Sequence, residues 1–410
     1  MIEPTKFKGY THIFGIAPWK IVPGYSRHNT WHKSLYIESQ KKGNEIKYLG
    51  LRNANVEEKW ITGVFGNSIL RANARISIRD LIKLTKEFKN CKGTKLVYIF
   101  EASISWLVTL TSFSLINKDT YILCNLFSSS KYQKIFTEKS TKSFFIIKFL
   151  KIHQKYLKSK ILISFDTRAM SEWVNLNLKI PAMRFPVPGS FPQKVLRPPL
   201  NEHFKVLVNL RNYDLSNFHK FIEGSCAKCE FWIPRGSLDR EIPRKTFEKY
   251  KNIKFEDQNP TAEEYENYFY KYDYSIFLYE PTIDASGRLF DSILAGLPVC
   301  VPKNAQEWSW IAKDHANHHL FELADFESIR ELFMHPKFAP PNLETIPFFD
   351  PRICHNELLE LANYKLKTNY SYKKSYRFIG ISLYFIHTIF TLSSNIVLGL
   401  KIKTSRILKR

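Results

Sequence analysis

The chain has 410 residues, too many for one compact domain and suited to two, with 44% apolar and 15% aromatic residues to fill real cores. Lys and Arg number 61 against 38 Asp and Glu, a net charge of +23, so nucleic acid, an anionic membrane surface and a base-rich composition without a specific partner all compete. No low-complexity tract and no repeat of roughly 20 to 50 residues is present, which excludes a disordered chain and a solenoid.

The abundance of Lys, Asn, Ile, Phe and Tyr fits an AT-rich genome, so the distribution of charge is more telling than its total. Of six cysteines, only Cys226 and Cys229 form a CxxC. No second CxxC or His pair completes a tetrahedral metal site, and the pattern suggests a reducing compartment. The N-terminus, MIEPTKFKGY, lacks the apolar core of a signal peptide, which predicts a cytosolic catalytic part.

The first elements read strand, glycine loop, helix, strand. His12 to Ala17 is a strand, Pro18 to Gly24 a loop, residues 26 to 42 a helix stopped by Gly43-Asn44, and Glu45 to Leu51 the next strand. A glycine turn opening a helix fits a phosphate or sugar-nucleotide site, or simply a tight βαβ connection. Lys95 to Phe100 and Tyr121 to Phe127 are further strands, with a helix between them to about Leu115.

Residues 131 to 160 hold nine Lys and one acid, Glu138, interleaved with Phe144, Phe145, Ile146, Ile147, Phe149, Leu150, Ile152, Tyr156 and Leu157. Such a helix suits an anionic membrane face, or covers the sheet as a solvated amphipathic helix. Ile161 to Phe165 is the next strand, followed by a helix from about Thr167. Six prolines within residues 181 to 200 mark an interdomain linker.

The α/β pattern restarts with the strand Phe204 to Leu210, which delivers Arg211. A helix over about 215 to 222, short strands at Glu230 to Ile233 and Ile253 to Phe255, and a helix over 263 to 271 behind Thr261 follow. Tyr274 to Tyr279 is then a buried strand. Ser286 and Gly287 open a short helix, Gly296 stops it in a left-handed cap, and Pro298 to Val301 is the next strand. This strand, loop, helix, strand unit predicts a parallel sheet whose helix N-terminus suits an anion such as a diphosphate. Residues 307 to 313 and 325 to 334 read as helices.

From Phe378 to Leu400, 23 residues carry no charge, and Lys401 to Arg410 add five bases and no acid. Roughly 20 residues span a bilayer core, so this tail reads as a membrane anchor, an interfacial helix, or a long helix packed on the domains.

Together these features resemble the GT-B glycosyltransferases, in particular the group 1 or family-4-like class, over most of residues 10 to 340. The most specific part is Asp291-Ser-Ile-Leu-Ala-Gly296-Leu-Pro298-Val299, which is similar to the class pattern of an acid, apolar positions, Gly, any residue, Pro and Val. Ser286-Gly287, the order from Ile253 through Tyr272-Asp273-Tyr274, and Arg211 at a strand end also resemble it.

The resemblance implies an α/β fold with two Rossmann-like domains facing a central cleft and a C-terminal helical tail. An acceptor-side domain would cover residues 1–190, a nucleotide-sugar domain 191–345 and the tail 346–410, with a membrane-associated helix at 378–400. It further implies transfer of a sugar from a nucleotide-sugar donor to a lipid-linked or cell-surface polysaccharide acceptor, retaining and without metal or cofactor. Asp291 would accept from the ribose hydroxyls. Backbone N–H groups of Ser286, Gly287 and Arg288 would cradle the diphosphate, with Arg288 and Arg211 as cations and Gly24 facing it from the other domain. His28 would handle the acceptor, and Asp284 is the acid nearest the class position beside the sugar.

Two positions depart from the class: Ile283 stands where a glutamate is common, and Ser216 where a lysine is common. These departures fit a non-catalytic scaffold of the same fold. The charge fits a nucleic-acid binder, though no nucleic-acid-binding motif is present. The enzyme is expected at the inner face of the membrane with an anionic surface, and not nucleic acid, as its partner.

Overall fold

A computed structural model describes residues 7–20, 27–51, 61–65, 78–126, 129–184, 187–193, 203–211, 229–234, 250–258, 260–261, 264–279, 284, 286–315, 318–322, 327, 331, 346–366, 373, 375–386 and 388–389. Strands that are apolar on both faces form its centre. All residues of Thr120–Leu126 and Ile161–Phe165 are buried. Such strands need helices above and below, which is the condition of a parallel sheet.

The first sheet contains β1 (His12–Lys20), β2 (Ile46–Leu51), β3 (Ile61–Phe65), β4 (Lys95–Ala102), β5 (Thr120–Leu126), β6 (Ile161–Phe165) and β7 (Met183–Arg184), in the order β3-β2-β1-β4-β5-β6-β7. The second contains β8 (Phe204–Arg211), β9 (Cys229–Ile233), β10 (Ile253–Phe255), β11 (Tyr274–Tyr279), β12 (Val299–Pro302) and β13 (His318–Phe321), in the order β10-β9-β8-β11-β12-β13. Every pairing in both sheets is parallel. Strand order reverses direction between β1 and β4 and between β8 and β11, the points where open α/β sheets leave a crevice for ligands.

Five helices cover one face of the first sheet: α2 (Ile78–Asn90), α3 (Ile104–Ile116), α4 (Ser129–Thr137), α5 (Thr141–Ile152) and α6 (Arg168–Leu178). Their core joins Phe88, Trp106, Phe136, Leu150 and Val174 to Phe14, Val97 and Ile163 of the strands. On the other face lie α1 (Arg27–Lys41) and α10 (Pro351–Glu360), where Leu35 and Leu358 meet Tyr48, Leu96 and Tyr121. The second sheet carries α7 (Tyr265–Tyr268), α8 (Gly287–Leu294) and α9 (Gln306–His315), around Phe277, Leu289, Trp308 and Ile311. Side-chain caps at Ser103, Ser140, Thr167, Ser286 and Asp350 fix where their helices begin.

The α/β reading holds, and several strands keep their expected bounds. Other elements differ. The lysine-rich segment 131–160 divides into α4, α5 and a π-helical turn, His153–Leu157, because Ser140 caps a new helix. The helix expected at 263–271 shortens to α7 and one 3-10 turn, Phe269–Lys271. Thr261 and Glu264 still exchange backbone and side-chain bonds as a capping box. Strands β3, β7 and β13 and helix α2 add to the elements expected from the sequence, and α10 lies in the stretch expected to be a helical tail. The helix expected at 215–222 lies outside the described residues, as do Cys226 and most of 325–334. Cys229 is a buried core residue of β9. No helix among the described residues is long and apolar enough to cross a membrane. The described part of the tail, a helix over 375–386 with 388–389 beyond it, instead packs on the first sheet's helices through Tyr376 and Tyr384.

Two chain crossings join the sheets side by side. Residues 187–193 lead out of the first sheet, and 346–350 return to it ahead of α10. Gly189 N–H donates to the Phe349 carbonyl at 2.7 Å, and Gln193 N–H to Asp350 Oδ2 at 2.8 Å. Ser34 of α1 donates to the Gly189 carbonyl at 3.2 Å.

Candidate active site at the facing sheet edges

Arg211 closes β8 and pairs in register with Tyr279, the last residue of β11. The loop after β11 carries Asp284, and the indole N–H of Trp308 donates to the Asp284 carbonyl at 2.9 Å. Ser286 then caps α8, its hydroxyl accepting from Leu289 N–H at 3.3 Å. A helix's first amides lack intrahelical acceptors, so Gly287 and Arg288 present the positive end of α8 at the carboxyl edge of the second sheet. Gly296 ends the helix with φ 72°, the left-handed cap expected from the sequence.

The Arg288 guanidinium is positioned from below. It donates to Asn209 Oδ1 at 3.3 Å, and Asn209 donates in turn to Ser275 Oγ at 2.9 Å. Its charge opposes the upward pKa shift that burial imposes on Tyr268 and Asp291. The structure thus brings Arg211, Asp284, Ser286, Gly287 and Arg288 to one edge, at the β8/β11 switch point.

Asp291 is different. It is 0% exposed, on the buried side of α8. Its Oδ1 accepts the Ser190 amide at 2.7 Å, and its Oδ2 accepts the Ser190 hydroxyl at 2.9 Å and the Tyr265 hydroxyl at 2.8 Å. Burial pushes the carboxyl up to about 6, against the pull of these donors and of Arg288. The ribose contact expected of Asp291 has no surface to use in this arrangement. The carboxylate instead ties the outgoing crossing to the second sheet. Gly189 makes that approach possible, since a Cβ there would stand 2.2 Å from Leu294 Cδ1.

The opposing edge supplies groups that sequence reasoning missed. Asp166 follows β6 and is buried, accepting from the Ser129 hydroxyl at 2.5 Å. Burial pushes it up to about 8, and the charges of Asp284 and Glu307 from the second sheet's side add to that. Glu307 of α9 is buried between the sheets and caps α6 from across the chain, alongside the local cap Thr167. Its carboxylate accepts Arg168 N–H at 3.1 Å and Ala169 N–H at 2.9 Å. The Arg168 guanidinium lies over the Trp310 ring, 4.6 Å from its centroid. An acid directly after a buried strand was the available signal for Asp166; nothing local marked Glu307.

His28 falls in the first turn of α1, with its side chain outside the described parts, as is that of Arg211. Gly24 lies outside the described residues. No group of three His, Cys, Asp or Glu side chains that could hold a metal ion occurs among the described residues.

No protein-family model matches the chain, and no curated protein matches it by sequence. Solved structures do match its fold. WaaG, a glycosyltransferase involved in lipopolysaccharide biosynthesis, superposes with a TM-score of 0.50 at 12% identity, over 90% of this chain and 99% of its own. The α,α-trehalose 6-phosphate synthase of Burkholderia multivorans gives 0.53 at 9% identity, over 94% and 98%. HepE of Anabaena, in complex with UDP and glucose, gives 0.52 at 12% identity, over 93% and 99%. Two parallel sheets, each with its own switch point, joined by paired crossings and matched end to end by these proteins, give this chain the GT-B glycosyltransferase fold.

Proposed function

We propose that this chain is a glycosyltransferase that moves a sugar from a nucleotide-sugar donor to a lipid-linked or cell-surface polysaccharide acceptor at the inner face of a membrane. The observation that carries this reading is Arg288 held by Asn209 at the mouth of α8, on the switch point of the second sheet. In the reaction the bond from the sugar's anomeric carbon to the diphosphate breaks, and the diphosphate leaves with the electron pair. The acceptor hydroxyl oxygen forms the new bond to that carbon, and its proton passes to the departing diphosphate oxygen.

Negative charge grows on the departing diphosphate. The amides of Ser286, Gly287 and Arg288 and the side chain of Arg288 meet it with positive charge already in place, and Arg211 is the second cation proposed. Cationic stabilisation of this kind supports metal-independent transfer. Gly24 would face the diphosphate from the other edge. Asp284 and His28 are the groups proposed to act beside the sugar and the acceptor hydroxyl, and retention of anomeric configuration is part of the proposal. Asp291 holds the crossing, and the ribose contact proposed for it requires the Ser190 or Tyr265 hydroxyl to give way.

The test is a transfer assay with UDP-, GDP- and dTDP-sugars and a lipid-linked glycan acceptor, on the chain and on Arg288→Ala. Donor-dependent transfer that falls in the variant supports the reading, and equal transfer by both overturns the site. A non-catalytic scaffold of the same fold is favoured by one observation, the fully occupied Asp291 carboxylate. Stabilisation by a nucleoside diphosphate in a thermal-shift series counts against it, since an empty scaffold gains nothing from the ligand.

A further inference from the structure

Helix α3 is apolar on all sides and almost wholly buried. The sheet covers one side of it. On the opposite side two outer elements flank it. The turn after α5 reaches it through His153, whose Nε2 lies 2.9 Å from Thr111 Oγ1. The tail helix reaches it through Gly380, where a Cβ would stand 2.7 Å from Leu115 Cβ. Tyr384 adds a hydroxyl contact to Thr85 of α2 at 3.1 Å and a ring contact to Phe113.

Tyr376, Gly380 and Tyr384 recur every four residues and take up the inward face of the tail helix. A surface helix with its apolar stripe satisfied carries polar residues on the other side. This one does not: Phe378 is 74% exposed and Phe385 66% exposed, with Ile386 beside them. Helix α5 repeats the arrangement, with Phe145 64% exposed next to Phe144, and Tyr156 in the following turn. Ten of the 15 large exposed hydrophobics among the described residues lie in α5 with its turn or in the tail from Phe378 to Ile389, on one side of the first sheet. Scattered exposed apolar side chains need no explanation, but two helical segments that both reach α3 and each present an apolar outer face do.

Charge selects the occupant. Lys148, Lys151, Lys155 and Lys158 are exposed around the aromatic side chains of α5, and Lys373 and Arg377 lie at the start of the tail helix. Lys148 lies 5.5 Å from the centroid of the Phe144 ring, and Lys155 5.0 Å from that of Tyr156. No acid occurs from Lys139 to Phe165, and none follows Glu360, although ten Lys and Arg do. A second copy would set lysine against lysine, whereas anionic headgroups meet the lysines while the rings enter the boundary beneath.

We propose that α5 with its following turn and the tail helix together form a docking face for an anionic phospholipid bilayer, in which the chain lies on the surface without crossing it. The proposal rests on the membrane-side acceptor of the function above and supplies the face that meets the membrane. Its test is co-sedimentation of the full chain with phosphatidylcholine vesicles, with and without phosphatidylglycerol. Binding that requires phosphatidylglycerol is expected. Changing Lys148, Lys151 and Lys155 together to Gln should lower partitioning on the order of a hundredfold, at about five-fold for each lysine. The separate pair Phe145→Glu and Phe385→Glu should abolish it. These side chains are exposed, so both variants should keep the parent thermal midpoint. Equal binding to neutral vesicles, or unchanged binding by both variants, overturns the proposal. So does a dimer in light scattering that Phe385→Glu dissociates, because a second copy would then cover the face. Failed vesicle binding with intact transfer to a soluble acceptor sinks the docking face alone. Intact vesicle binding with no transfer sinks the transferase reading alone.

Discussion

Ser190 gives Asp291 two hydrogen bonds at once, from its amide at 2.7 Å and its hydroxyl at 2.9 Å. The pair joins the outgoing crossing to a helix 101 residues further along. A buried carboxylate is costly unless its oxygens are satisfied, so these donors and Tyr265 hold the second sheet in place against the crossing. Removing one is expected to be felt at once. Ser190→Ala and Tyr265→Phe should each destabilise by about 1 to 3 kcal/mol in denaturant unfolding. An unchanged midpoint in both would show that the carboxylate does not carry the joint.

Gly189, one residue earlier, leaves no room for a side chain. Gly189→Ala puts a Cβ 2.2 Å from Leu294 Cδ1 and 3.5 Å from the Phe349 carbonyl. Leu294 is itself buried. Overpacking of this kind costs about 1 to 3 kcal/mol. Thermal unfolding of the variant reads it directly, and parent-like stability would contradict the close packing.

Two buried acids should each contribute stability that falls as pH rises between about 4 and 8, against the opposite trend of His153 and His355, which burial holds below the ordinary imidazole value. Asp166 is raised to about 8 and Asp291 to about 6, both chiefly by burial. An acid whose folded value is raised binds its proton more tightly folded than unfolded. Its favourable contribution is therefore complete below about pH 4 and is lost as pH climbs to the folded value. For Asp291, the rise from 3.8 to about 6 is worth roughly 3 kcal/mol. Asp166→Asn should flatten the decline between about pH 6 and 8, where Asp291 has already titrated. A decline of equal slope in the variant would show that Asp166 does not cause it.

Glu307 connects the two edges through the N-terminus of α6. Glu307→Gln keeps the size and removes the charge, so the Arg168 and Ala169 amides lose an anionic acceptor. The expected cost is about 1 to 2 kcal/mol at neutral pH. Because Glu307 also helps to raise Asp166, the variant's pH decline should shift toward lower pH. A variant as stable as the parent, with the same profile, would show that the Glu307 charge adds nothing to the Thr167 cap of α6.

What the sequence discloses divides by distance along the chain. Ile161–Phe165 and Tyr274–Tyr279 are legible to the residue because a strand covered on both faces reads as a nearly continuous apolar run, broken here only by Ser164 and Ser275. Ser286 is legible as a cap because capping is a local bond. Strand β13 is short and half polar at the sheet's margin, and its residues His318 and His319 leave no apolar run to find.

The site follows the same rule. Residue types and their order point to Ser286, Gly287 and Arg288, and the fold gathers them at one edge. The partner of Asp291 was invisible, since Ser190 sits in a proline-rich stretch that says only that the chain is not helical there. Glu307 was invisible too, because its role is to cap a helix 139 residues earlier.

The central claim is that α8 and Arg288 receive the diphosphate of a nucleotide sugar. Isothermal titration of the chain with UDP, GDP and dTDP, repeated on Arg288→Ala, tests it most directly. The predicted result is saturable binding of at least one of the three, weakened about ten- to a hundredfold in the variant by loss of one charged contact. Binding of none of them, or equal affinity in parent and variant, would contradict it.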